Sequence, residues 1–155
     1  MTKQQTLESI QTARKNHEVQ MQKINALVSG KTIVDPTSVS KRECTFGKWL
    51  YEDEKYLREI LGAQFYETIE QLHGKWHEQY YKIYEIFFTK PKPGLLSKVL
   101  KLNKVSMLEQ DKAKLYYAEL QQNTQELLNM MSVSERRVMA LQDSKFKKGA
   151  PSDLF

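Results

Sequence analysis

The sequence CTFGKWL, residues 44–50, organises the chain and contains the only cysteine among its 155 residues. Just before it, Ser40 and Glu43 have the spacing of a capping box, which predicts a helix that begins near Lys41 and holds Cys44 in its first turn. Unpaired amides and the helix dipole favour an anion there, so we expect them, with nearby cations or a metal, to lower the thiol pKa. Gly47 lies on the same helical face and leaves room for another helix or a metal.

Two long amphipathic helices are predicted on either side of this segment. The first covers residues 3–29, between a capping pattern at Thr2 and a terminating Gly30. The second covers residues 63–88, after a break at Gly62, and its apolar positions follow helical spacing. A short helix fills the space between the cysteine segment and Gly62.

A third long helix is predicted from the capping box of Ser106 and Glu109 to Leu141, and a repeat of that pattern at Ser132 would allow a break. No segment has the alternating pattern of a strand. The sequence therefore predicts an all-α fold, an antiparallel four-helix-type bundle with a short cysteine-bearing helix.

The predicted domain covers residues 1–142, and residues 143–155 lack periodicity and are expected to form a flexible tail. A basic insertion at about 89–105 interrupts the bundle. Its lysines have no acidic neighbours, and they are Lys90, Lys92, Lys98, Lys101 and Lys104. A solvated surface is the favoured interpretation of this segment, ahead of contact with a membrane or an acidic partner. Residues 95–102 are compatible with a short helix or a loop.

Composition restricts the class of protein. A single cysteine excludes an intramolecular disulfide and, with no signal peptide, predicts a reducing cytoplasm. No apolar run approaches the roughly 18 residues that cross a membrane. The net charge of +5 is modest, and we expect no nucleic-acid partner.

Four side chains could form a metal site, and they are His17, Cys44, His73 and His77. The last two histidines are four residues apart and share a helical face. In an antiparallel bundle, counting from Gly30 and Gly62 places His17 and His73 roughly 20 and 16 Å from the same end. Three nitrogens and one thiolate suit tetrahedral zinc.

Other interpretations of these residues remain open on spacing alone. A buried histidine on an apolar stripe is usually a core residue, and a lone buried cysteine often acts as a small hydrophobe. Glu70 and His73 match half of a carboxylate di-iron motif, but no second E-x-x-H exists. A Cys-His nucleophile pair would lack an evident cleft or oxyanion donors, so we expect no enzyme.

The ordered pattern of His17, the C-x-F-G-x-W segment at 44–49 and the final His73-x-x-x-His77 resembles the chemoreceptor zinc-binding (CZB) domain family. The C-x-F-G-x-W segment is the most specific part of this resemblance. The resemblance covers roughly residues 5–88, and the helix predicted over residues 106–141 is similar to the family's last helix.

The resemblance implies zinc held by His17, Cys44, His73 and His77 in a homodimeric bundle in the bacterial cytoplasm. Family members regulate diguanylate cyclases or chemoreceptors, and in some the zinc-bound cysteine is similar to a redox switch for hypochlorous acid. Cys44 would be that switch here, with Phe46, Gly47 and Trp49 supporting it.

The chain departs from the family pattern in its longer basic insertion and in the absence of an output domain. This predicts a stand-alone member that signals to a partner in trans, or a fragment of a larger protein. The alternative function is a structural adaptor in which zinc is a permanent folding staple.

Overall fold

The computed structural model describes residues 1–88 and 105–146. These residues contain no strand, and the helices pack against one another, so the predicted all-α bundle is confirmed. The helices are α1 (Lys3–Val28), α2 (Thr45–Glu52), α3 (Glu54–Leu61), α4 (Ala63–Phe88) and α5 (Met107–Ala140), followed by a 3-10 turn at Asp143–Lys145.

Local capping sets the ends of α1 as predicted. The Thr2 hydroxyl accepts from the Gln5 amide, and the Gln5 side chain accepts from the Thr2 amide in return. At the other end Gly30 has a φ of +93°, and the Lys31 amide donates to the Ala26 carbonyl. This is the Schellman arrangement, which satisfies carbonyls that the helix leaves unpaired and favours glycine at the left-handed position.

The other long helices also begin at the predicted signals. Gly62, with a φ of +91°, separates α3 from α4. Ser106 and Glu109 form the capping box at the start of α5. The break that the pattern at Ser132 would allow does not occur: the helix continues to Ala140, and the Ser132 hydroxyl donates to the Leu128 carbonyl one turn earlier.

The start of α2 differs from the prediction. The helix begins at Thr45 rather than near Lys41, because the Cys44 amide donates to the Ser40 carbonyl in a turn that precedes the helix. Cys44 is the N-cap residue, and its Sγ accepts from the Gly47 amide at 3.1 Å. The sulfur therefore still faces a helix N-terminus, but as the cap rather than as part of the first turn.

The helices run up and down in turn. Lys3, at the start of α1, donates to the Leu141 carbonyl just after the end of α5. Phe65, at the start of α4, lies 5.1 Å from the Arg137 guanidinium near the same end of α5. Both helices are thus antiparallel to α5 and parallel to each other. Residues 29–44, α2 and α3 connect the end of α1 to the start of α4. They fill the remaining position of the four-helix-type bundle.

Two apolar clusters form the core, one at each end of the bundle. The first includes Ile10, Phe46, Leu50, Leu57, Ile69, Leu127, Met131 and Val138. The second includes Met21, Ile24, Trp76, Tyr80, Ile83, Ala113 and Leu120. On α1 and α4, His17 and His73 lie in the sequence between residues of the two clusters, so the candidate ligands occupy a polar layer between them.

The predicted tail begins as packed structure. Asp143–Lys145 form a 3-10 turn, and Phe146 is buried against the first cluster. Residues 147–155, and the basic insertion over 89–104, lie outside the described residues, and the predicted domain boundaries remain a prediction. None of the described helices is long and apolar enough to cross a membrane.

Candidate metal centre

Three of the four predicted ligands come together. The Cys44 Sγ lies 3.3 Å from the His73 Nε2, which lies 3.1 Å from the His77 Nε2. One ligand atom from each residue falls within 4.8 Å of the others. His73 and His77 are buried and Cys44 is half-buried, so the group is enclosed on most sides.

His17 lies beside this group but outside the three-residue cluster. Its ring centroid is 5.9 Å from that of His73 and 4.5 Å from that of Trp76. The His17 side chain is buried, and its Nε2 has no hydrogen-bond partner. An unpaired buried nitrogen costs about 1–3 kcal/mol, so its position next to the cluster favours a role as a fourth ligand.

The predicted reason for the equal heights of His17 and His73 is wrong. A Cβ on Gly30 would lie 3.3 Å from Gln110, and one on Gly62 would lie 3.3 Å from Arg137, near opposite ends of α5. The two glycines are therefore at opposite ends of the bundle. The histidines are adjacent because α1 and α4 run parallel, and each histidine lies partway along its own helix.

The protonation states of the histidines fit a metal site. Burial, and then the neighbouring imidazoles, lower the pKa of His17 to about 3 and that of His73 to about 2. Burial also lowers the pKa of His77 to about 4. All three rings are therefore neutral near pH 7, the state in which imidazole binds a metal. With one thiolate they form the nitrogen and sulfur donor set that zinc prefers.

A backbone carbonyl fixes the orientation of His77. The Val39 carbonyl lies 2.8 Å from the His77 Nδ1, which donates to it and leaves Nε2 bare toward the cluster. Metal-binding histidines commonly have such a partner on the other ring nitrogen. Sequence reasoning could not identify Val39, because the contact uses its main chain and carries no side-chain signal.

The expected lowering of the Cys44 pKa is wrong for the protein without metal. Burial raises the pKa of the thiol above its ordinary value, although the Gly47 amide acts in the opposite direction. Desolvation of the anion therefore outweighs the helix N-terminus. The protein alone keeps Cys44 as a thiol near neutral pH, and a metal ion would be needed to hold the thiolate.

The turn that carries Cys44 is attached to α4. The Lys41 ammonium donates to the Glu70 carboxylate at 2.9 Å, and the Tyr51 hydroxyl donates to the same oxygen at 2.8 Å. The Lys41 carbonyl also accepts from the Cys44 Sγ at 3.6 Å and passes directly over Gly47. What approaches Gly47 closely is thus the backbone of this turn rather than another helix.

Glu70 therefore makes its hydrogen bonds outside the cluster of Cys44, His73 and His77. Its hydrogen bonds to Lys41 and Tyr51 lower the pKa of its carboxyl group. It is also absent from the group of ligand atoms around His73. This explains why the half di-iron motif of Glu70 and His73 has no counterpart in the structure.

Aromatic rings surround the polar cluster. The Phe46 ring lies 4.6 Å from that of His73, and the Trp49 ring lies 5.4 Å from that of Phe46. The ring of Trp76, on α4, lies 4.9 Å from that of His77. Apolar rings limit the access of water and lower the local dielectric, which strengthens binding of a metal to the enclosed donors.

The model of the chemoreceptor zinc-binding domain family matches residues 17–84. The matched segment starts at His17 and includes Cys44, His73 and His77. The predicted resemblance to the chemoreceptor zinc-binding domain family is confirmed over these residues. Comparisons with curated proteins and with solved structures gave no match.

Proposed function

We propose that the chain binds one zinc ion through His17, Cys44, His73 and His77. The observation that carries this proposal is the convergence of three ligand atoms within 4.8 Å, next to the unpaired Nε2 of His17. When bound, zinc would stabilise the Cys44 thiolate, which burial alone disfavours. The match to a zinc-binding family supports the choice of metal.

X-ray absorption at the zinc edge tests the ligand set. We expect one zinc per chain, with one sulfur at about 2.3 Å and three nitrogens at about 2.0 Å. Protein purified without added metal gives the stoichiometry independently of the spectrum. A zinc shell that contains no sulfur, or a metal-free protein that takes up no zinc, would contradict the proposal.

We further propose that the domain is a cytoplasmic sensor without enzymatic activity. It would signal zinc occupancy or oxidation of Cys44, for example by hypochlorous acid, to a partner protein such as a diguanylate cyclase or chemoreceptor. A zinc-bound thiolate is more readily oxidised than a buried thiol, so the raised pKa of Cys44 makes its reactivity depend on the metal. The half-buried position of Cys44 leaves it within reach of small oxidants.

The alternative is a structural adaptor that needs zinc in order to fold. The two apolar clusters favour the sensor, because none of the four proposed ligands is among their buried members, although Cys44 packs against the first cluster. Because one apolar cluster lies on each side of the candidate metal centre, the helices should remain folded when the metal is removed. Small domains that depend on zinc to fold usually lack such a core.

A homodimer is also part of the proposal. The sequence of α5 has apolar residues beyond a single helical stripe, which are Tyr116, Tyr117, Leu127, Leu128, Met130 and Met131, but not all of them are free to contact a second copy. Leu127 and Met131 are buried in the chain's own core and cannot contact a second copy. The large apolar side chains that α5 exposes are Met107, Leu108, Leu115 and Met139.

Leu115 gives the clearest test of a dimer through α5, because it is 69% exposed and lies two turns after Leu108. We expect Leu115→Glu to shift the chain from dimer to monomer in sedimentation equilibrium at tens of micromolar, since it introduces charge into an apolar contact. Lys114→Glu, at the neighbouring exposed position, is the matched control. A wild-type chain that sediments as an 18.2 kDa species would contradict the dimer.

A further inference from the structure

Two cavities border the candidate metal centre, and His77 lines both. The first has a volume of about 200 Å³ and lies between α1, the loop at residues 35–38 and the start of α2. The second, of about 350 Å³, lies along α4 beside Val39. Of the two, the first is the one that Cys44 and His17 line.

The first cavity extends from exposed residues to buried ones, and three of the proposed ligands, His17, Cys44 and His77, line it. Its exposed rim includes Asp35, Glu43 and Thr45, and its buried floor is formed by His17, Phe46, Trp76 and His77. The second cavity reaches the centre only at the ring of His77, whose Nδ1 is already bonded to the Val39 carbonyl. A molecule in the first cavity would therefore meet Cys44, whereas a molecule in the second would not.

Two contacts hold the first cavity at its present width. The Thr37 hydroxyl donates to the Gln20 side-chain oxygen at 2.6 Å. The Lys23 ammonium lies 3.6 Å from the Asp35 carboxylate and donates to the Asp35 carbonyl. Both contacts tie the loop to α1, so the opening is a formed feature of the fold.

The charges that line the first cavity are Lys23, Asp35 and Glu43. Lys23 and Asp35 pair with each other. The exposed Glu43 carboxylate therefore gives the lining a net negative charge. Such a rim favours cations over anions, and it opposes the positive charge of Lys48, which also acts on Cys44.

We propose that the first cavity is the port through which metal ions and small molecules reach Cys44, and that it admits cations and neutral molecules more readily than anions. This inference rests on the proposed function only because it treats Cys44 as the residue that binds zinc and reacts with oxidants. The route itself belongs to the protein without metal, so it can be tested separately from zinc binding.

Thiol labelling of the full metal-free chain tests the route, because Cys44 is its only thiol. The probes are the cationic aminoethyl and the anionic sulfonatoethyl methanethiosulfonates. The Cys44 thiolate attacks the sulfenyl sulfur, a disulfide forms, and methanesulfinate leaves. Asn16→Trp fills the first cavity and should slow both reactions about tenfold, since labelling would then need local opening. Glu78→Trp, in the second cavity, is the matched control and should leave both rates unchanged.

The ratio of the two rates on one protein tests the charge preference, because the thiolate population cancels in it. In the wild type we expect the cationic probe to react faster relative to the two probes' rates with free cysteine. Glu43→Lys should lower the cation-to-anion ratio by about tenfold at low salt. Glu78→Lys makes the same charge change beside the second cavity and should leave the ratio unchanged.

Labelling that is unaffected by Asn16→Trp, or slowed equally by Glu78→Trp, would overturn the route. If Glu43→Lys leaves the cation-to-anion ratio of labelling rates unchanged, the proposed charge preference is wrong. Asn16→Phe, which adds a smaller ring at the same position, is a second blocking variant if circular dichroism shows that Asn16→Trp does not fold. If the chain takes up no zinc but shows the expected labelling, the port is supported and the proposed zinc-binding function is wrong.

Discussion

A Cys44→Ser variant will keep its helices and lose most of its affinity for zinc. Serine is close in size to cysteine, and its hydroxyl can still accept from the Gly47 amide as an N-cap. Cys44 packs against the first apolar cluster but is a buried member of neither, so helical content should stay near the wild-type level. The hydroxyl is a poor zinc ligand, and we expect affinity to fall by more than about 100-fold, beyond the loss of an outer-shell contact.

Competition with a zinc-binding dye measures this affinity, and circular dichroism measures the fold. Thr45→Ser, at the next residue, is the matched control and should bind zinc as the wild type does. A Cys44→Ser chain that unfolds when zinc is removed would favour the staple over the sensor. One that binds zinc as tightly as the wild type would exclude Cys44 from the ligand set.

The Cys44→Ser variant also tests whether oxidation of Cys44 is a signal. Hypochlorous acid should release zinc from the wild-type protein by oxidising the Cys44 thiolate, and this release should be absent from the variant. Met107 and Met139 are exposed and are the competing targets for oxidation. If mass spectrometry finds oxidation only at methionines while zinc stays bound, the redox role of Cys44 is wrong and zinc occupancy remains as the signal.

The sequence predicted the elements whose signals are local. The capping pattern at Thr2, the positive-φ position at Gly30 and the break at Gly62 each depend on a few neighbouring residues, and the structure confirms them. The same rule failed at Ser40 and Glu43. Their spacing is that of a capping box, but Cys44 competes as the cap and the helix starts after it. The pattern does not distinguish a helix start from a turn that precedes one.

The site was less accessible to sequence reasoning, because it depends on how helices pair. His17 and His73 were placed together by a calculation that put Gly30 and Gly62 at the same end, and the structure brings them together by a parallel arrangement. The Val39 carbonyl and the Lys41 contact with Glu70 were not predicted at all. Each involves residues far apart in sequence, and no spacing rule reports on such contacts.

Among the glycines that the structure describes, Gly47 is the one where an added Cβ would meet its neighbours most closely, because of the attached cysteine turn. A Cβ at this residue would lie 1.6 Å from the Lys41 carbonyl oxygen and 3.2 Å from the Cys44 Sγ. The carbonyl cannot simply yield, because the Lys41 side chain is bonded to Glu70 and the turn is closed by hydrogen bonds to Ser40. A side chain here must displace the turn, and Cys44 moves with it.

We therefore expect Gly47→Ala to lower the free energy of unfolding by about 3 kcal/mol, the upper end of the cost of overpacking a core. The melting temperature should fall by roughly 10 °C, and zinc affinity should fall with it because Cys44 leaves its place beside His73. Gly74→Ala is the matched control. Its Cβ would lie no closer than 3.7 Å to any neighbour, and alanine in a helix interior should raise stability by up to about 1 kcal/mol. Thermal unfolding with and without zinc measures both variants. If Gly47→Ala melts and binds zinc as the wild type does, the close approach of the Lys41 carbonyl is not what holds Cys44 in position.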